Sequence, residues 1–133
     1  MKNPMIVLKN LLQLFVVAGC VTCANAGDTA VTHLNAEQAQ KLVVEKKVIV
    51  LDLRTPEEFA AGHIAGATNI NFRAAHFEKI LASLDRRQSY LLHCASGSRS
   101  TQALPKFEKL EFKSLYHLDG GLNAWQKAKF PVE

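Results

Sequence analysis

Tyr90-Leu91-Leu92-His93-Cys94-Ala95-Ser96-Gly97-Ser98-Arg99-Ser100 is the stretch that decides the fold. Tyr90 to His93 is an apolar run of strand length, ending on a cysteine. Four small residues follow, and from about Ser98 to Leu110 the spacing predicts a helix, kinked at Pro105, which cannot donate to the preceding turn. A buried strand that feeds a tight loop and then a helix is the unit from which parallel sheets are built.

The same alternation extends to both sides. Upstream, Val31–Leu34 reads as a short extended start, and Asn35 with Gln38 forms a capping-box pattern before Ala39, Leu42 and Val43 at helical spacing. Val48-Ile49-Val50-Leu51 is a continuous apolar run, as expected of a strand covered on both faces. Thr55-Pro56-Glu57-Glu58 is a helix start, with Thr as N-cap, Pro at the first helical position and Glu58 closing the box. Gly62-His63-Ile64-Ala65-Gly66 is a turn before a short strand near Ala67–Asn71, and Phe77, Ile80, Leu81 and Leu84 mark another helix. Downstream, Leu115–Leu118 is a further strand and Asn123–Lys129 a last helix. Strands alternating with helices at this spacing predict an α/β fold with a mainly parallel sheet.

Composition narrows the function classes. The chain has 133 residues, 48% of them hydrophobic and 21% charged, so one domain with a sizeable core is expected rather than a disordered or polytopic chain. Residues 1–26 read as an export signal. Lys2 and Lys9 are basic, residues 10–27 carry no charge, and Ala24-Asn25-Ala26 is a small-residue cleavage site before Gly27. The apolar core is interrupted by Asn10, Gln13 and Thr22, which leaves it short of the roughly 20 residues a spanning helix needs. A second route is open: Val17-Ala18-Gly19-Cys20 resembles a lipobox and would anchor the chain to a membrane by lipid on Cys20. Cleavage after Ala26 leaves a 107-residue domain, 27–133, that loses two lysines and no acid. Its formal charge falls from +4 to +2, and nothing in it supports nucleic-acid binding. Arg86-Arg87 and Lys46-Lys47 are isolated basic pairs of a solvated surface.

Of the three cysteines, Cys20 and Cys23 fall in that leader, and the apparent Cys-x-x-Cys is discounted. Cys94 remains, alone, in what the leader makes an oxidising compartment. A buried structural cysteine accounts for a lone thiol, but not for Gly97 and Arg99 at these offsets. Ligands of open α/β sheets bind at the carboxyl ends of strands. A loop of small residues there can turn successive N–H groups inward as an anion nest, backed by a helix N-terminus. Gly97 permits the required dihedrals, Arg99 offers a fork of donors, and both features lower the pKa of a Cys94 nucleophile.

At this point the chain resembles the rhodanese family. Asp52-Leu53-Arg54, Pro56-Glu57-Glu58-Phe59, Gly62-His63-Ile64-Ala65-Gly66-Ala67 and Asn69-Ile70 are similar to its first signature, Cys94–Ser100 to its active loop, and Gly120-Gly121-Leu122-Asn123-Ala124-Trp125 to its C-terminal signature. The likeness runs from about Val31 to Phe130, and is nearest to small exported bacterial members of the phage-shock type. It implies a three-layer sandwich with a mainly parallel central sheet flanked by helices. It also implies a thiosulfate sulfurtransferase in the periplasm. Cys94 would take the outer sulfur of thiosulfate or another small donor as a persulfide and pass it to a thiol or to cyanide. The amides of Ala95, Ser96, Gly97, Ser98 and Arg99 would bind the donor, and Arg99 would orient its sulfonate oxygens. Asp52 and Arg54 would support the loop scaffold by a salt bridge. No metal or organic cofactor is implied, since the covalent cysteine divides the transfer into two steps.

Glu111 departs from the pattern, standing where many members have Gly. Two other functions share the cysteine and loop: a sulfur-carrier module without efficient turnover, and a cysteine phosphatase or arsenate reductase. The latter place Arg six positions after Cys, whereas here Arg99 is five after Cys94. His63 reads as a structural hydrogen-bonding residue, and His93, which alternation points away from Cys94, as a poor base for it. The five histidines show no metal-ligand spacing. Phe77, Phe107 and Trp125 are expected in the core.

Overall fold

A computed structural model describes residues 29–133; the leader, the lipobox and the Cys20–Cys23 pair lie outside the described residues. The chain alternates strand and helix throughout. The elements run β1 (Val31–Leu34), α1 (Ala36–Val44), β2 (Ile49–Asp52), α2 (Pro56–Ala60), β3 (Thr68–Asn69), α3 (Phe77–Ser83), β4 (Ser89–His93), α4 (Ser98–Lys109), β5 (Ser114–Leu118) and α5 (Gly121–Lys127). All four strand pairings are parallel, in the order β1-β5-β4-β2-β3. The α/β sandwich expected from the sequence is the fold observed.

Strand periodicity divides the core in two. Leu51, Leu92 and Leu115 face α3 and α4, where they pack with Phe77, Leu81, Leu104 and Phe107. Val50, Leu91 and Leu118 face the other way, onto Ala36 and Ala39 of α1 and Leu122 and Trp125 of α5. Burial on both faces is why β2 and β4 read as unbroken apolar runs rather than as alternating ones. Each fully buried side chain of this size contributes about 1.5–3 kcal/mol. Both expected capping boxes close: Asn35 with Gln38, and Thr55 with Glu58.

Strand order fixes where a crevice can open. The connection leaving β2 runs outward to β3, while that leaving β4 runs the opposite way to β5. The two loops therefore part at the carboxyl ends of β2 and β4, the switch point at which open α/β sheets bind ligands. Asp52, 0% exposed, closes β2 there; its Oδ1 accepts from Arg54 Nε at 2.9 Å and its Oδ2 from Arg54 Nη2 at 2.7 Å. Arg54 Nη2 also donates to the Gly62 carbonyl at 2.7 Å, which ties the β2 loop to the turn after α2.

α4 continues helically through Pro105 to Lys109. It stops in a Schellman turn: the Phe112 amide donates to the Phe107 carbonyl at 3.4 Å and the Glu111 amide to that of Glu108 at 2.9 Å. The Phe107 and Phe112 rings meet edge to face at 5.0 Å. This turn needs a left-handed residue, and Glu111 supplies it at φ 60°. A side chain there carries strain that glycine lacks, of about 1 kcal/mol. Glu111→Gly is accordingly expected to raise stability by about 0.5–1 kcal/mol in urea unfolding, relief of strain outweighing the entropy glycine adds to the unfolded chain. An unchanged or lower midpoint would show that the Glu111 side chain makes a compensating contact.

Candidate active site

Cys94 follows the last residue of β4 and is only 1% exposed. Gly97 turns the chain at φ 105°, and its amide then points back to donate to Cys94 Sγ at 3.1 Å. α4 starts one residue later, so the positive end of a 12-residue helix stands beside the sulfur. The carbonyls are disposed of on the opposite side. Cys94 O accepts from the Leu122 amide at 2.9 Å and Ala95 O from the Asn123 amide at 3.0 Å, both in the first turn of α5. With its carbonyls held outward, the loop offers its amides inward.

That approach demands glycine at position 121. A Cβ there would stand 2.5 Å from Cys94 O and 2.7 Å from Ala95 O, and the residue has φ 59°. The Gly120-Gly121 pair in the C-terminal signature thus serves the active loop rather than α5 alone.

Opposing effects act on the thiol. Burial pushes its pKa up, while the Ser100 hydroxyl and the backbone amides of Ser100, Gly97 and Ser96 pull it down. The hydrogen bonds win, and the thiol lies below its ordinary value. Ser100 Oγ lies 3.5 Å from Sγ.

The side chains of the loop residues named from the sequence do not all turn to the sulfur. Ala95 is half-buried, and Ser96 and Ser98 are exposed; the Ser98 hydroxyl accepts from Gln102 Nε2 at 3.3 Å. The Arg99 guanidinium, which also feels Cys94, pairs first with Glu58. Its Nη1 donates to Glu58 Oε2 at 2.7 Å and its Nη2 to Oε1 at 2.9 Å, a bidentate pair spanning the crevice between α2 and α4. The Arg99 guanidinium, followed by the Thr55 amide, brings the Glu58 carboxyl down to about 2. Glu58 is thus both the cap of α2 and the anchor of the loop arginine. The spacing of the capping box showed the first duty and nothing of the second.

Three further residues were missed altogether. His117 Nε2 lies 2.8 Å from Ser100 Oγ, and its Nδ1 lies 2.8 Å from Asp119 Oδ1. His33 Nδ1 reaches the same Asp119 oxygen at 2.8 Å. The His33, His117 and Asp119 donor atoms lie within 4.8 Å of one another, and their mutual hydrogen bonds account for that convergence. A signal existed: alternation puts His117 on the face of Leu115, toward α4. Only strand order, however, brings β5 beside β4 and pairs His117 with His33. His93 lies on the opposite face, with its Nδ1 3.0 Å from Cys94 O. A carbonyl only accepts, so Nδ1 carries the proton. Burial keeps the ring pKa low, and its Nε2 has no hydrogen-bond partner among the described residues. His63 Nδ1 lies 2.9 Å from the Phe59 carbonyl.

Comparison with known proteins agrees with this geometry. The family model for the rhodanese-like domain matches residues 35–128. "Thiosulfate sulfurtransferase GlpE" of Pseudomonas putida is 35% identical over 73% of this chain and 86% of its own length. "Rhodanese-like domain-containing protein 17" of Arabidopsis thaliana is 32% identical over 96% of this chain and 90% of its own. The crystal structure of a rhodanese-related protein from Thermoplasma volcanium superposes with a TM-score of 0.69 at 28% identity, covering 77% of this chain and 97% of that one.

Two substitutions test the scaffold. Gly121→Ala should push α5 off the loop, cost about 1–3 kcal/mol and raise the reactivity midpoint of Cys94 in a pH-dependent alkylation assay; an unchanged midpoint would refute the pinning role. Glu58→Gln keeps the cap but loses the ion pair. Because the native carboxyl is depressed from 4.5 to about 2, the pair stabilises the fold above pH 4.5 and is lost as pH falls toward 2. The variant should therefore be less stable by about 0.5–1 kcal/mol near neutrality, since a partly exposed pair is screened. That gap should close between pH 4.5 and 2. A gap independent of pH would refute the assignment.

Proposed function

The chain belongs to the rhodanese-like family, and on that premise we propose that it is a thiosulfate sulfurtransferase working through a persulfide on Cys94. The observation that carries this reading is the buried Cys94 sulfur, which itself receives the Gly97 amide at 3.1 Å, so that the cradle closes on one sulfur atom.

The Cys94 thiolate attacks the outer sulfur of thiosulfate. A new S–S bond forms, the original S–S bond breaks, and sulfite leaves with its electron pair. An acceptor thiolate, or cyanide, then attacks the outer persulfide sulfur, and Cys94 departs as thiolate. The amides of Ala95 to Arg99 and the start of α4 stabilise the anion in both steps. Arg99, held by Glu58, stands at the rim of the crevice and orients the donor's sulfonate oxygens. Asp52 and Arg54 hold the neighbouring loop. A nucleophile this buried favours a donor that presents a single sulfur. The short spacing from Cys94 to Arg99 likewise fits a sulfur atom better than a tetrahedral phosphate.

For location, the reading is export to the periplasm with cleavage after Ala26, resting on residues 1–26 alone; N-terminal sequencing of the processed protein decides between Gly27 and a lipidated Cys20.

Thiosulfate treatment followed by intact-mass spectrometry should add about 32 Da to the protein and nothing at position 94 of Cys94→Ser. Cyanide should then discharge the adduct as thiocyanate over many cycles. An adduct that forms but does not turn over would make the protein a sulfur carrier. No adduct, together with hydrolysis of a phosphate ester, would overturn the assignment.

A further inference from the structure

Four side chains form an unbroken hydrogen-bonded line from the nucleophile to the protein surface. Cys94 Sγ lies 3.5 Å from Ser100 Oγ, which lies 2.8 Å from His117 Nε2, and His117 Nδ1 lies 2.8 Å from Asp119 Oδ1. Cys94, Ser100 and His117 are 1%, 0% and 2% exposed, whereas the Asp119 side chain is 56% exposed. Resting on the reading of Cys94 as nucleophile, we propose that His117, oriented by Asp119, accepts the proton of the Cys94 thiol through the Ser100 hydroxyl.

The proton count follows from one hydroxyl with one hydrogen. In the thiol state S–H donates to Ser100 Oγ, the Ser100 O–H donates to His117 Nε2, and His117 Nδ1–H donates to the Asp119 carboxylate. On ionisation the S–H bond breaks and its proton bonds to Oγ, as the proton of Oγ passes to Nε2. Nε2–H now donates to Oγ, and the Ser100 O–H donates to the thiolate. Every donor has an acceptor in both states, and no proton crosses bulk solvent. The products are a thiolate and an imidazolium held one hydroxyl apart, with a carboxylate behind. The line also gives a buried thiol a base. His93, its neighbour in sequence, has its ring on the far side of the sheet.

The groups facing His117 come from four elements. They are Asp119 after β5, Ser100 on α4, His33 on β1 with ring centroids 5.1 Å apart, and Cys94 just after β4, while the His93 ring lies across the sheet. His33 Nδ1 and His117 Nδ1 share one Asp119 carboxylate oxygen, each at 2.8 Å. The Asp119 carboxyl is raised by burial, but hydrogen bonds from His33 and His117 bring it below its ordinary value, so it is ionised near neutrality.

The test is the pH dependence of iodoacetamide alkylation in the full chain, followed on the Cys94 peptide by mass spectrometry; it needs no sulfur donor. His117→Asn keeps a donor toward Ser100 but takes no proton, and should move the Cys94 midpoint up by about one pH unit. Ser100→Ala should move it by a similar amount, and the double variant no further, because both cut one line. A His117→Asn profile that superimposes on the parent, or shifts that add in the double variant, would overturn the relay. If His117→Asn loses its cooperative unfolding transition, Asp119→Asn decides at a solvent-facing position: a smaller upward shift supports the proposal and an unchanged midpoint ends it. Failure to form a persulfide with these shifts intact would instead strike the sulfurtransferase reading and leave the relay standing.

Discussion

Two hydrogen bonds between the start of α5 and the loop after β4 govern the site. A short loop carrying free carbonyls would turn some of them toward the buried sulfur, where their negative ends would oppose a thiolate. The Leu122 and Asn123 amides take the carbonyls of Cys94 and Ala95 at 2.9 and 3.0 Å, and so decide which face of the peptide planes the sulfur meets. Each is an ordinary bond of about 1 kcal/mol. Their combined effect on the thiolate is larger, because they orient several amides at once in a site of low dielectric. This places a constraint on residues far along the chain: α5 can come this close only if position 121 lacks a Cβ.

The second constraint is topological. Because β2 and β4 are neighbours whose exits diverge, the helices they feed, α2 and α4, present their first turns to one crevice. Glu58 sits in the first turn of α2 and Arg99 in that of α4, and they meet as a bidentate pair. A helix N-terminus favours a carboxylate, so Glu58 is well placed; Arg99 is not favoured by its own helix and relies on Glu58 to stay. The pair therefore uses a favourable site in α2 to hold an unfavourable charge at the crevice between α2 and α4.

Much of this was legible in the sequence, and the pattern of what was not is physical. Elements carried by local chemistry could be read within a residue or two. The capping boxes at Asn35 and Thr55, the run Val48–Leu51 and the strand-loop-helix at Cys94 all depend on neighbours in the chain. The left-handed turn at Glu111 left its mark as an out-of-place side chain. What escaped were contacts set by strand order. His117 and His33 are 84 positions apart in the sequence and paired across β5 and β1. Glu58 and Arg99 are brought together only by the switch point. α5 begins two residues earlier than its apolar spacing suggested, because Gly121 and Leu122 enter the helix to reach the loop.

Burial and hydrogen bonding at Cys94 act in opposite directions on its ionisation equilibrium. For reactivity they act together. A thiolate stabilised only by a large drop in basicity becomes a poorer nucleophile, because nucleophilic strength falls with pKa. A thiolate held by several moderate bonds at a buried position keeps more basicity than one lowered by a single strong effect, and it has less water to shed on reacting. The loop combines these conditions: a cysteine 1% exposed, one amide at 3.1 Å and a longer, adjustable hydroxyl at 3.5 Å. The adjustable bond is the one that matters for the proposed transfer. On the proposed route through a Cys94 persulfide, the charge would move outward by one S–S bond, and a hydroxyl that rotates would give up the inner sulfur at less cost than a backbone amide fixed by α5.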